Sequence, residues 1–252
     1  MVKEEKRKGG MPLVIIVGVL IAAVVGLGVL YSCSAKPGTP NNNAKTPRAQ
    51  GTPPNAPEGA NPPNMLGSPT ATVTVEEYAD FQCPSCGDKF PVMKQIQSVY
   101  GSRIRFIFRH FPLTTVHDKA YDAAVAAEAA GLQGKFWDMQ NQLYTNQKSW
   151  SVDPNYKQVW ADYAQKIGLD MEKWKTDMAG LPAKSRVDAD IARGRFLQIG
   201  STPTVYINGK AVTYAEMTVD TLRALIDAEL NASQPGKQGG GAANAAPGND
   251  TK

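Results

Sequence analysis

Glu77-Tyr78-Ala79-Asp80-Phe81-Gln82-Cys83-Pro84-Ser85-Cys86 is a stretch in which an apolar strand gives way to a helix, with two thiols standing at the joint. Upstream, Ala71 to Phe81 alternates Val73, Val75 and Glu77 against Thr72, Thr74, Glu76 and Tyr78, the period of a strand. Downstream, Pro84 to Tyr100 reads as a helix interrupted or kinked at Pro91 and stopped by Gly101. Arg103 to Phe111 is a second strand, with Ile104, Phe106 and Phe108 on one parity. Together they form a β-α-β unit, which implies parallel strands and a right-handed crossover.

Further along, the period turns helical. An Ala-rich run from Lys119 to Ala130 is stopped by Gly131, and amphipathic stretches follow around Phe136 to Tyr144 and Tyr156 to Ile167, continuing to Phe196. These predict a helical subdomain inserted over about residues 114–199. Thr204 to Ile207 and Lys210 to Thr213 then flank Asn208-Gly209, a strong hairpin signal. A last helix runs from a Thr218 cap to Leu230. The fold class is α/β, with one folded domain over residues 66–232.

The ends of the chain differ in kind. Lys3, Lys6, Arg7 and Lys8 mark a basic N-terminus over residues 1–11, and Pro12 to Tyr31 follows without a charge. Twenty helical residues reach ~30 Å, about one hydrocarbon core, and exceed the ~7–15 apolar residues of a cleavable signal. A retained transmembrane anchor over residues 12–31, with a cleaved signal as the alternative, is the expectation. The basic side lies in the cytoplasm and the body of the chain on the extracytoplasmic side. Leu30-Tyr31-Ser32-Cys33 resembles a bacterial lipobox, so Cys33 is a candidate for lipidation, the alternative being an inert cysteine at the membrane surface. Residues 32–65, rich in Pro, Asn and Gly, read as a disordered linker, and residues 233–252 as a disordered tail.

Charge narrows the function. A formal net charge of +4, with no basic stripe interleaved with aromatics in the body of the chain, argues against nucleic-acid binding. Three cysteines are too few for a disulfide scaffold, and C-x-x-C reads as redox or metal chemistry. A structural zinc wants four ligands, and only Cys33, His110 and His117 remain to join the pair, so no metal is expected. His110 and His117 themselves read as ordinary loop or strand-end residues.

Cys83 opens a helix, where unpaired N–H groups and the helix dipole favour a thiolate; Cys86 lies one turn on, on the same face. Cys83 is therefore the expected nucleophile and Cys86 the resolving thiol. A Cys83 pKa lowered from ~8.5 to ~6.5 stabilises the reduced form at pH 7 by ~0.8 kcal/mol, roughly 20 mV, and a pKa near ~4.5 by ~3.4 kcal/mol, roughly 70 mV. The Pro84-Ser85 dipeptide offers a hydroxyl but no cation, which leaves both a moderate and a strong oxidant open. Glu77 sits six residues before Cys83 on the apolar parity, placed to shuttle the proton of Cys86, with a solvent-facing glutamate as the alternative; Glu76 reads as the surface residue.

The segment from Glu77 to Cys86, together with Gly200-Ser201-Thr202-Pro203-Thr204-Val205-Tyr206-Ile207-Asn208-Gly209, resembles the two signatures of the DsbA-like branch of the thioredoxin superfamily. The likeness covers about Leu66 to Leu230. It implies a thioredoxin fold with an inserted helical subdomain. It also implies that Pro203 is a cis-proline opposite the disulfide and that the Thr202 backbone pairs with an incoming peptide. Ser201 where glycine is common, Ser85 where the best-known oxidase has histidine, and the long linker are departures. The expectation is a membrane-tethered thiol-disulfide oxidoreductase whose redox-active Cys83–Cys86 disulfide replaces any cofactor. Its substrates are reduced secreted or cell-envelope polypeptides, and the family implies a membrane quinone-linked protein that reoxidises it. A disulfide reductase or isomerase, or a non-catalytic chaperone-like binding module, are the alternatives.

Overall fold

The computed structural model describes residue 53 and residues 55–233. The anchor expected over 12–31, the basic segment before it, Cys33, most of the expected linker and the tail beyond 233 lie outside the described residues. No helix among the described residues is long and apolar enough to cross a membrane.

In chain order the elements are β1 (Asn64–Gly67), β2 (Thr74–Ala79), α1 (Pro84–Tyr100), β3 (Arg105–His110) and α2 (Ala120–Gly131). There follow α3 (Phe136–Thr145), α4 (Gln147–Trp150), α5 (Tyr156–Lys166), α6 (Met171–Ala179) and α7 (Leu181–Phe196). The chain closes with β4 (Thr204–Ile207), β5 (Lys210–Val212) and α8 (Val219–Ala232). Among the described residues the strands form a single five-stranded sheet in the order β1-β3-β2-β4-β5. β2 and β3 run parallel, as a strand-helix-strand crossover requires, whereas β4 pairs antiparallel to β2 and β5 to β4. Asn208 and Gly209 turn the β4–β5 hairpin with φ of 47° and 76°, the left-handed pair that these residue types tolerate.

The expected linker boundary at residue 65 needs correction. β1 begins at Asn64 and pairs antiparallel with β3, Ala60 is 2% exposed, and its N–H donates to Asp190 Oδ1 at 2.8 Å. Composition reads Pro and Asn as linker because the stretch is short of apolar side chains. Here backbone pairing and a buried carboxylate, neither visible in composition, recruit it to the sheet.

The two faces of the sheet are covered differently. Val73, Val75, Ala79, Phe106, Phe108, Val205 and Ile207 enter the main core with Met93 and Ile96 of α1 and Leu222 and Ile226 of α8. α1 runs through Pro91 without ending. Thr218 caps α8, its side chain accepting from Thr221 N. On the other face Tyr78 packs with Phe111 and Ile199, and α7 contributes Arg193 to a polar network described below. The helices α2 to α7 fill the stretch between β3 and β4. The Ala-rich α2 is buried nearly all round, as an apolar helix without a polar face must be, and packs against α3, α6 and α7.

Candidate active site

Cys83 is the N-cap of α1, extended at φ −68° and ψ 120°, and Pro84 occupies the first turn where its missing N–H costs nothing. The N–H groups of Cys86 and Gly87 both donate to Cys83 O at 3.1 Å. Both cysteines are thiols; Cys83 is 6% exposed and Cys86 1%. Cys83 Sγ donates to the Thr202 carbonyl at 3.4 Å, and the Asp80 N–H donates to Cys86 Sγ at 3.5 Å.

These surroundings split the two sulfurs. The Cys86 thiol, donating to Cys83, is the largest influence that lowers the Cys83 pKa from 9.0 to about 5. Burial opposes it, and the Thr202 side chain and the N–H groups of Cys86 and Ser85 assist. Burial pushes Cys86 well above 9.0, and its donation to Cys83 and the neighbouring charge push it further. The sequence pointed to the helix terminus as the source of acidity; the helix N–H groups contribute, but the partner thiol contributes more.

Opposite the pair, the Thr202–Pro203 peptide is cis. The Thr202 hydroxyl is buried and meets no hydrogen-bond partner among the described residues. It is near enough to both sulfurs to favour their ionised forms, so it is free to turn toward the Cys83 sulfur once that ionises.

Glu77 lies on β2 between Phe108 and Val205 of the neighbouring strands, 4% exposed, and burial pushes its pKa up to about 8. Glu76 is not a surface residue: it is 6% exposed and takes Arg109 Nε at 2.9 Å and Arg193 at 3.0 and 3.1 Å. Burial would raise its pKa, but the two guanidinium groups outweigh that and hold it below 4.5. Strand alternation assumes one wet face, and β2 is a central strand covered on both.

Sequence reasoning missed two residues at this site. Asp80, 1% exposed, accepts from Gln82 N at 2.7 Å, Leu113 N at 2.9 Å and His117 Nδ1 at 2.7 Å, while its own N–H reaches Cys86. Gln147, on α4, sends Nε2 to the carbonyls of Phe81 and Cys83, both at 2.8 Å. Asp80 stands inside the quoted segment; Gln147 lies 64 residues from Cys83 in a stretch with no distinguishing pattern. Tyr144 lies against Phe81 and Phe90, where burial pushes its hydroxyl well above the usual phenol range.

The histidines pair with carboxylates rather than with the cysteines. His110 Nε2 lies 3.0 Å from Glu128, and His117 is held by Asp80. His110, Glu128 and Asp190 bring ligand atoms within 4.8 Å of one another. Arg186 and Asn64 occupy Glu128, and Arg109, the Ala60 N–H and the His110 N–H occupy Asp190. Two guanidinium groups at these carboxylates make the cluster a buried ion network, a poor place for a metal cation.

A thioredoxin family model matches residues 60–228. The crystal structure of oxidised BdbD from Bacillus subtilis is similar at 26% identity and TM-score 0.60, over 70% of this chain and 98% of that one. MdbA, a thiol-disulfide oxidoreductase from Corynebacterium diphtheriae, shares the fold at 22% identity and TM-score 0.53, over 64% of this chain and 93% of that one. Among curated sequences, the Na(+)/H(+) antiporter NhaA 1 of Mycolicibacterium gilvum is 36% identical over 149 residues, 58% of this chain and 23% of its own. NhaA 3 of Salinispora tropica is 32% identical over 177 residues, 70% of this chain and 26% of its own. The chain thus spans about a quarter of the length of the curated relatives it matches.

Proposed function

The chain belongs to the thioredoxin family, and from that premise we propose that it is a DsbA-like thiol-disulfide oxidoreductase working as an oxidase, introducing disulfides into secreted or cell-envelope polypeptides through Cys83 and Cys86. The observation that carries this reading is the split between the two sulfurs. A Cys83 pKa of about 5 favours the reduced protein at pH 7 by about 3 kcal/mol over an ordinary thiol, or roughly 60 mV. A protein whose reduced form is stabilised in this way takes electrons from its substrates.

The chemistry balances on residues already named. A substrate thiolate attacks Cys83 of the Cys83–Cys86 disulfide, forming a mixed disulfide and expelling Cys86 as a thiolate. With a pKa of about 8, Glu77 is protonated at neutral pH, and as the general acid it supplies the proton that makes Cys86 a competent leaving group. The second thiolate of the substrate then attacks its own sulfur in the mixed disulfide and releases Cys83, whose low pKa makes it a good leaving group. The substrate loses two electrons and the Cys83–Cys86 pair gains them. The backbone beside cis-Pro203, at Thr202, holds the extended substrate by strand-like pairing, which tolerates varied sequence.

In this reading the redox-active disulfide takes the place of a cofactor, and a quinone-linked membrane protein reoxidises the pair. The anchor over residues 12–31 keeps the domain on the extracytoplasmic side. Thiol trapping in cells tests the direction: an oxidase is recovered mainly as the disulfide, and a predominantly reduced pool overturns the assignment in favour of a reductase or isomerase. Cys83→Ser tests the chemistry, because disulfide formation that survives it belongs to a binding module.

A further inference from the structure

Gln147 enters the site from the inserted helical subdomain, on the short helix α4, and is 6% exposed. Trp150 of the same helix is fully buried, and its Nε1 donates to Leu143 O at 2.7 Å, so the helix that carries Gln147 is fixed by packing. From there the two hydrogens of Nε2 go to Phe81 O and Cys83 O, the carbonyls on either side of Gln82. Cys83 O already accepts from Cys86 N and Gly87 N. The Gln147 amide therefore ties the exit of β2 to the cap of α1 and sets its N–H dipoles against carbonyl oxygens close to the Cys83 sulfur.

A second observation stands apart from these bonds. Gly87 lies within α1, where glycine is a poor helix former. A Cβ at that position would collide with Gln147 Oε1, the far end of a flexible side chain. Any larger residue at 87 would displace the amide and leave the backbone of the helix where it is.

We infer that Gln147 is a positioning residue for the redox pair, clamping the Phe81 and Cys83 carbonyls so that the Cys83 sulfur stays over the first turn of α1, and that position 87 is glycine to admit it. The clamp rests on the oxidoreductase reading and deepens it: the helical subdomain helps to set the reactivity of the cysteine. Loss of the two N–H donors takes this partner from the Phe81 carbonyl, leaves the Cys83 carbonyl with its helix N–H donors alone, and frees the Cys83 backbone to rotate. These changes make Cys83 less acidic.

The test is site-resolved alkylation of Cys83 against pH, read by mass spectrometry on the full-length chain, together with thermal unfolding. Gln147→Leu keeps the bulk and removes the donors. It should raise the Cys83 titration midpoint by about one pH unit, a roughly tenfold loss of acidity. Gly87→Ala should shift it in the same direction, and the double variant should match the larger single shift instead of their sum, since both act through one amide. Should Gln147→Leu fail to fold, Gly87→Ala carries the test alone. Alanine favours the helix while displacing the amide breaks its two buried bonds, so a merely structural role for the pair moves Tm alone and leaves the acidity of Cys83 unchanged. Unchanged Cys83 acidity in the variants, with an acidic wild-type Cys83, overturns the clamp and leaves the oxidoreductase reading standing. A wild-type Cys83 no more acidic than free cysteine overturns both.

Discussion

Glu76 and Glu77 are neighbours on one strand, yet one is held as a carboxylate below 4.5 and the other is pushed up to about 8. Both are buried, so burial alone does not separate them. The face of the sheet does. Glu76 points to the side covered by α7, where Arg109 and Arg193 meet it, and Arg109 continues to Asp190. Glu77 shares its face with Val75 and Ala79, in the apolar core that also holds the cysteines, and no ion pair reaches it among the described residues. The strand thus divides two uses of the same side chain. An ion pair on one face fastens the helical subdomain to the sheet, and a neutral acid on the other can give and take a proton at neutral pH.

Several substitutions would break or sharpen that contrast. The largest expected effect is structural: Glu76→Gln leaves Arg109 and Arg193 facing a neutral amide and should cost about 3–5 kcal/mol in denaturant unfolding, the scale for losing one partner of a buried pair. The reduction potential should hardly move, and a marked change in it would remove the distinction between the faces.

Glu77→Gln should do the opposite. A carboxyl whose folded pKa lies above its unfolded value binds a proton in the folded state that the unfolded chain releases, so stability falls as pH rises from about 4.5 to about 8. The glutamine variant removes this slope and should be more stable than wild type by about 2–4 kcal/mol at pH 8, with little difference at pH 4. Disulfide exchange should slow all the same, because Cys86 loses its proton donor. Parallel stability curves for variant and wild type from pH 4 to 8 would contradict the raised pKa.

For Cys83 the sign reverses. Its folded pKa is depressed, so the advantage of the reduced protein is full above the pKa of an ordinary thiol, shrinks as pH falls toward about 5, and is gone below it. Alkylation of Cys83 should accordingly hold steady from pH 8 to 6 and fall about tenfold per pH unit well below 5. The smallest effect is expected from Thr202→Val, which removes the hydroxyl facing the sulfurs and should make Cys83 less acidic by somewhat under one pH unit, about 1 kcal/mol. An unshifted midpoint would take the hydroxyl out of the account of acidity.

Much of the fold could be read along the chain because its signals are local. The strand before Cys83, the helix from Pro84 to Tyr100, the Asn208-Gly209 hairpin and the Thr218 cap each depend on residues within a few positions of one another. β1 escaped because its partner strand lies some forty residues on and its own residues are those of a linker. Glu76 was misplaced for a related reason, since alternation tells one face of a strand from the other and is silent on whether both are covered.

By itself the sequence determined the order of elements, the C-x-x-C pair at a strand-to-helix joint and the acid six residues before it, because each follows from backbone period and chain spacing. Only the tertiary structure decided which of two adjacent glutamates is charged, that the thiol of Cys86 does more than the helix terminus to make Cys83 acidic, and that an amide from α4 grips the redox turn. Those are matters of desolvation and of side-chain geometry, much of it between groups far apart in the chain, and their energies are set when the packed fold brings the groups together.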